Sequence, residues 1–228
     1  MTYIYDIFSK KLTEVAPFTV DLLLPSGAEN LNYVLYTDES PYKMQREWLD
    51  RLPFDIYSVN VHTGAKRLIG RSYRTAPKWS VNGKWAVMYD PIAQVWNKFD
   101  GATGKVVNIS DAIGYPMFME SYDKPAPAPA YGIAGWTADG NNVFLYDAYD
   151  WWKTDLTGER QPECLTKGYG RKHGKSIRKM TSNIDKDVFQ KDEKVIVSLW
   201  DKDTMDEGVY QLDMKGRLRK LMEGNYVY

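Results

Sequence analysis

Between Tyr146 and Trp152 the chain reads Tyr-Asp-Ala-Tyr-Asp-Trp-Trp, two carboxylates set among four aromatic side chains. Aromatic faces stack on sugars and peptides, and paired carboxylates can divide the roles of acid and base. Asp147, Asp150, Trp151 and Trp152 are therefore the candidate ligand-binding residues. A structural role fits the same residues: an Asp that follows a strand ends it by accepting turn hydrogen bonds, while the aromatics fill the space between packed sheets. That structural role is the expected one.

The other chemistry-bearing residues are sparse. No Gly-x-Ser-x-Gly nucleophile elbow occurs, so no catalytic residue is assigned and the chain itself is not expected to be an enzyme. There are two histidines: His62 falls in a His-Thr-Gly turn, and His173 in a basic stretch, so neither is expected to ligate a metal or act as a base. The glycines of Gly168-Tyr-Gly-Arg-Lys-His-Gly174 have one residue too many before the last glycine for a phosphate loop, and no helix is expected after them. Cys164 is the single cysteine, which excludes an internal disulfide and a Cys-based zinc site and predicts a small core residue beside Leu165. Asn108-Ile109-Ser110 fits the glycosylation pattern, relevant only in a eukaryotic secretory setting. No metal or cofactor is expected.

The elements that hold these residues are strands. Trp79-Ser-Val-Asn-Gly-Lys-Trp85 and Trp136-Thr-Ala-Asp-Gly-Asn-Asn142 each lead into an apolar run, the pattern of a hairpin whose Asn-Gly or Asp-Gly pair accepts positive φ. A second half-repeat turns at Thr63-Gly64, Thr103-Gly104, Thr157-Gly158 and Lys215-Gly216. These glycines are 40, 54 and 58 residues apart. Four strands in each such period describe a β-propeller blade.

The predicted fold is thus all-β: a β-propeller of about four blades plus a partial one, each a four-stranded antiparallel sheet, open or truncated as a ring. The expected partition of 1–228 as one segment is a partial blade at 1–22, blades at 23–70, 71–110, 111–166 and 167–223, and the start of a further strand at 224–228. Strands are expected near Thr19–Leu24 and Leu31–Tyr36. Between blade strands, Ser40–Leu52 reads as an inserted short helix capped by Ser40, with Met44, Trp48 and Leu52 on one face. Asp123–Ala130, with alternating prolines, predicts a stiff extended connection. Lys167–Lys179, with Arg171, Lys172, Lys175, Arg178 and Lys179, reads as a solvated basic loop.

Composition narrows the partners. In 228 residues, 43% hydrophobic, 30 basic side chains balance 30 acidic ones, so no field draws the chain to nucleic acid or an anionic membrane. No apolar run is long enough for a membrane span, and the N-terminus lacks a basic-then-apolar leader. An open propeller would expose strand edges and self-associate through them.

The repeat Pro77-Lys-Trp-Ser-Val-Asn-Gly-Lys-Trp-Ala86 resembles the TolB-type propeller repeat. Tyr131-Gly-Ile-Ala-Gly-Trp136 with Asp139-Gly140, then Tyr146-Asp-x-Tyr-Asp-x-Trp152, and Leu165-Thr-x-Gly-Tyr-Gly-Arg-Lys172 are similar to the propellers of prolyl-oligopeptidase and dipeptidyl-peptidase-family serine peptidases, particularly those of Bacteroidetes-like bacteria. The resemblance implies a non-catalytic module that gates and shapes the substrate entrance of a C-terminal α/β-hydrolase domain absent from these residues, with the parent's peptide substrate passing it. It also implies a periplasmic or extracytoplasmic location. The alternative it leaves open is a free-standing TolB-like propeller that binds a protein, peptide or carbohydrate. One departure stands out: dipeptidyl-peptidase members hold the substrate amine with an adjacent Glu pair in a propeller insertion, where this chain has Asp38-Glu39 and a separate Glu47, so that role is not transferred.

Overall fold

The computed structural model describes residues 1–18, 20–27, 32–49, 51–180 and 187–224. They form two compact units, 1–108 and 109–228.

The first unit opens with a hairpin, β1 (Thr2–Asp6) and β2 (Lys11–Ala16), which is a two-stranded sheet. Next come β3 (Leu22–Leu24), β4 (Tyr33–Asp38), β5 (Phe54–Asn60) and β6 (Lys66–Tyr73), hydrogen-bonded in sequence order. A third sheet repeats the meander with β7 (Lys78–Trp79), β8 (Trp85–Asp90), β9 (Val95–Asp100) and β10 (Val106–Asn108). The middle strands carry the burial, as in Trp85–Asp90, where Ala86 through Tyr89 are all buried and close-packed side chains cover both faces. Trp79 joins two sheets: its indole N–H donates to the Leu24 carbonyl at 3.0 Å, and its ring meets Phe99 edge-on at 6.2 Å.

In the second unit, β11 (Ile133–Thr137), β12 (Asn142–Tyr146), β13 (Trp151–Asp155) and β14 (Glu163–Cys164) form the next meander. A helical turn, α1 (Tyr169–Lys172), leads to β15 (Lys175–Lys179), β16 (Val188–Phe189), β17 (Lys194–Asp201), β18 (Glu207–Asp213) and β19 (Leu218–Gly224). Four of these make the last sheet, in the order β15-β17-β18-β19, while β16 leaves it and lies parallel to β11 as a fifth strand of the preceding sheet. Gly135 permits that approach, because a Cβ there would collide with the Asp187 carbonyl and the Phe189 ring. Successive four-stranded antiparallel meanders are the blades of a β-propeller, and the fold is of that class.

Several local expectations are corrected. In the Trp-Ser-Val-Asn-Gly and Trp-Thr-Ala-Asp-Gly hairpins only the glycine has positive φ, at 66° for Gly83 and 68° for Gly140. The preceding Asn or Asp works through its side chain: Asn82 Oδ1 accepts the Lys84 amide at 3.1 Å and Asp139 Oδ1 the Asn141 amide at 2.9 Å. These are wider Asx-stabilised loops rather than two-residue turns, because Ser80 and Thr137 hydroxyls also accept the amides of Trp85 and Asn142.

Ser40–Gln45 is a 3₁₀ helix whose cap position is Glu39, and the Ser40 hydroxyl is buried with no partner among the described residues. Leu52 is buried, but Met44 and Trp48 are 85% and 76% exposed, so the three do not form a packed face. The proline-rich stretch folds back on its own leader: Met119 N–H donates to Pro129 O at 2.8 Å and Tyr131 N–H to Met117 O at 3.1 Å. Lys167–Lys179 is not a solvated loop, since it holds α1 and β15 and its two arginines turn inward. The strand beginning expected at Asn225–Tyr228, and the strand starts at Thr19 and Leu31, lie outside the described residues.

Candidate functional site

Asp147 follows the last residue of β12 and is fully buried. One carboxylate oxygen accepts the amides of Tyr149 at 2.7 Å and Asp150 at 2.6 Å, which closes a tight turn into β13. The other accepts the Trp152 indole N–H and the Arg171 guanidinium, both at 3.0 Å. A buried carboxylate of this kind is tolerated because each oxygen has two donors and one donor carries a charge.

Asp150, also buried, points the other way. Its carboxylate accepts the Thr166 hydroxyl at 2.6 Å and the amides of Gly170 at 2.9 Å and Arg171 at 3.0 Å. It thereby satisfies two of the amides that a helical turn leaves unpaired at its start, a role an N-cap side chain normally fills locally. Gly170 has to be glycine, because a Cβ would strike the Tyr149 and Lys175 carbonyls.

The two arginines wrap this turn. Arg171 lies over the Tyr115 ring at 3.9 Å and near Tyr149 at 5.1 Å, with a third of its side chain open to solvent. Burial works against its charge, but the hydrogen bond and field of Asp147 prevail and hold its pKa above the usual arginine value. Arg178 donates to the carbonyls of Asp147 at 2.7 Å, Ala148 at 3.2 Å and Ile177 at 2.8 Å, and its guanidinium sits between Tyr146 at 4.7 Å and Tyr131 at 5.3 Å. Burial pulls its pKa below the ordinary value, partly countered by Tyr146 and Asp147. Burial also pushes the Tyr146 phenol up to about 12, so it stays neutral.

The four residues singled out from the sequence therefore part company. Trp151 belongs to the core: it is fully buried, packs edge-on against Tyr146 at 5.3 Å, and donates its indole N–H to Ile177 O. Asp147 lies behind the surface with both oxygens engaged. Trp152 and Asp150 line a cavity of about 360 Å³ together with Tyr115, Cys164, Gly168, Arg171 and Lys172. Trp152 and Tyr115 form its aromatic walls, 5.9 Å apart. Cys164 is half-buried rather than a core residue, and burial raises its thiol pKa. Among the described residues no group of His, Cys, Asp and Glu is arranged to hold a metal ion.

Sequence reading did not anticipate Tyr115, Arg171 and Arg178 as part of this arrangement. The available signal was the pair of buried-type aromatics Tyr131 and Tyr146, since an aromatic pair can flank a cation.

No family model matches the chain, and the comparison with curated proteins found no match. Solved structures are similar at low identity. A TolB-type protein of Agrobacterium tumefaciens aligns at 14% identity over 94% of this chain and 70% of its own, with a TM-score of 0.45. The β-propeller domain of the Trilobed protease from Pyrococcus furiosus aligns at 12% over 89% and 56%, with a TM-score of 0.44. Dipeptidyl peptidase 4 of Porphyromonas gingivalis aligns at 11% over 92% and 34%, with a TM-score of 0.45. The chain thus spans just over half of the second of these proteins and a third of the last. Among the described residues no helix is long and apolar enough to cross a membrane.

Proposed function

We propose that this chain is a non-catalytic β-propeller module of a prolyl-oligopeptidase-type serine peptidase, gating and shaping the substrate entrance of a catalytic α/β-hydrolase domain that these residues do not contain. One observation carries the reading. The three sequence pieces that resemble peptidase propellers, within 131–140, 146–152 and 165–172, build a single network with Arg178: Tyr131 and Tyr146 flank Arg178, Asp147 holds Trp152 and Arg171, and Asp150 holds Thr166 and the Gly170 amide. The resemblance thus falls on residues that meet in one network. Its carboxylates are occupied by donors, which suits a positioning role better than acid or base chemistry. An extracytoplasmic location is part of the same proposal.

A second reading, a free-standing TolB-like propeller that binds a protein, peptide or carbohydrate, is favoured by the cavity itself. Trp152 and Tyr115 offer stacking faces, and Arg171 and Lys172 offer positive charge beside them.

Both readings place a ligand against Trp152, and a carbohydrate ligand is the one that only the second allows. The peptidase-module reading expects peptides, captured on an array, with capture lost in a Trp152→Ala/Tyr115→Ala variant that still unfolds cooperatively. Glycan capture with no peptide capture would instead support the second reading. Peptide capture unaffected by the double substitution would contradict this site. Asp147 is unsuitable for this test, because its removal would disturb the fold.

A further inference from the structure

In the cavity walled by Trp152 and Tyr115, the charged groups that remain available are all of one sign. Its carboxylates are engaged: each oxygen of Asp147, behind the wall, accepts two hydrogen bonds, and Asp150 accepts a hydroxyl and two amides. Cys164 is engaged too, because its sulfur accepts the Gly168 amide at 3.2 Å. The cations are not. Among the described residues Asp147 is the one acceptor of the Arg171 guanidinium, through Nη2, which leaves Nε and Nη1 without a partner. Lys172, also in the wall, is exposed, and its ammonium has no acceptor among the described residues.

The Arg171 side chain is also held in place before any ligand arrives. Asp147 fixes one nitrogen, and the Tyr115 ring lies 3.9 Å from the guanidinium carbon, so little rotamer freedom remains to be lost when an anion binds. At about 360 Å³ the cavity is at the small end of ligand sites, which span roughly 300–1,000 Å³. That size suits one or two side chains rather than a long stretch of chain.

We propose that this cavity selects peptides by a carboxylate, which Arg171 and Lys172 bind while Trp152 and Tyr115 cover the apolar part beside it. The proposal rests on the peptide reading of the site and adds the class of peptide. A carboxylate is the anion that an unmodified peptide offers, from Asp, from Glu or from its C-terminus, and its planar pair of oxygens matches the N–H geometry of a guanidinium. A peptide with Lys or Arg at that position would meet two cations and be rejected.

Capture of short peptides on an array by the full chain at low salt tests this, with each sequence present in matched forms: Glu or Gln at the varied position, and a free or an amidated C-terminus. Glu over Gln, or free over amidated, is expected to be preferred about tenfold or more, and the pair that shows it identifies the source of the carboxylate. The preference should fall toward one in Arg171→Lys, whose ammonium cannot serve Asp147 and a ligand with the same geometry. It should fall likewise in Lys172→Glu, which sets a carboxylate in the wall. Cooperative urea unfolding checks both variants, and Lys172→Glu, at an exposed position, decides the matter if Arg171→Lys does not fold. Peptides captured with no preference between matched forms would overturn the proposal and leave the peptide reading standing. No peptide capture at all would overturn both. A preference retained in folded Lys172→Glu would place the carboxylate elsewhere and also overturn the proposal.

Discussion

Asp147 and Asp150 lie three residues apart, yet their carboxylates serve different masters in the chain: Asp147 closes a strand turn and neutralises Arg171, while Asp150 caps a helical turn twenty residues away. Asp150→Ala leaves two amides and a hydroxyl without their acceptor, and should cost about 2 kcal/mol in urea unfolding, with faster hydrogen exchange at the Gly170 and Arg171 amides. Asp147→Ala should cost about 3 kcal/mol, the low end for breaking a buried pair, because Arg171 is partly hydrated already. Asp147→Asn should cost less, since it keeps the acceptor that closes the turn. The acidic and aromatic half of this cluster was legible because it is contiguous. Its basic half was not: Arg171 and Arg178 meet Asp147 from 24 and 31 residues away, and a run of basic residues looks the same in sequence whether solvated or folded inward.

At the level of strands and turns, the glycine repeat was legible because left-handed backbone strongly favours that residue, and Gly64, Gly104, Gly158 and Gly216 all have positive φ. The partner signal is an Asn or Asp at the start of the turn. Asn60, Asp100, Asp155 and Asp213 each accept an amide from the loop that follows. Gly216 has a second constraint, because a Cβ would fall on the carbonyl of Leu165, which follows β14, whereas Gly114 has open space around it. Gly216→Ala should therefore cost clearly more than the roughly 1 kcal/mol expected for Gly114→Ala from its left-handed backbone alone, as read from the two urea midpoints.

Turn amides and lysines also set the acid response. The Ser9 amide holds Asp6 below the usual carboxylate range, and the Thr204 amide does the same for Asp201. Hydrogen bonds from Lys175, then Lys220, bring Glu223 down from 4.5 to about 2. A carboxyl whose folded pKa is depressed contributes its stability in full above the unfolded value and loses it as pH falls through the folded one. Unfolding free energy should thus decline between about pH 4.5 and 2, and Glu223→Gln should flatten part of that slope.

For the molecule as a whole, the sequence announced a propeller through repeated hairpins, and the blades are present as antiparallel meanders. What escaped it was the exchange between blades. The two residues of β16 cross to β11, and so short a strand has no periodicity to detect. A fold built this way explains why the one segment that looked chemical, Tyr146–Trp152, is largely architecture with a cavity at its edge. The most direct test of that account is turnover by the purified chain on aminoacyl and dipeptidyl fluorogenic reporters, followed across successive purification steps. The account predicts no release above buffer from the propeller peak. Release that co-elutes with the folded chain at constant specific activity, and disappears in Asp147→Asn while the fold remains, would contradict it.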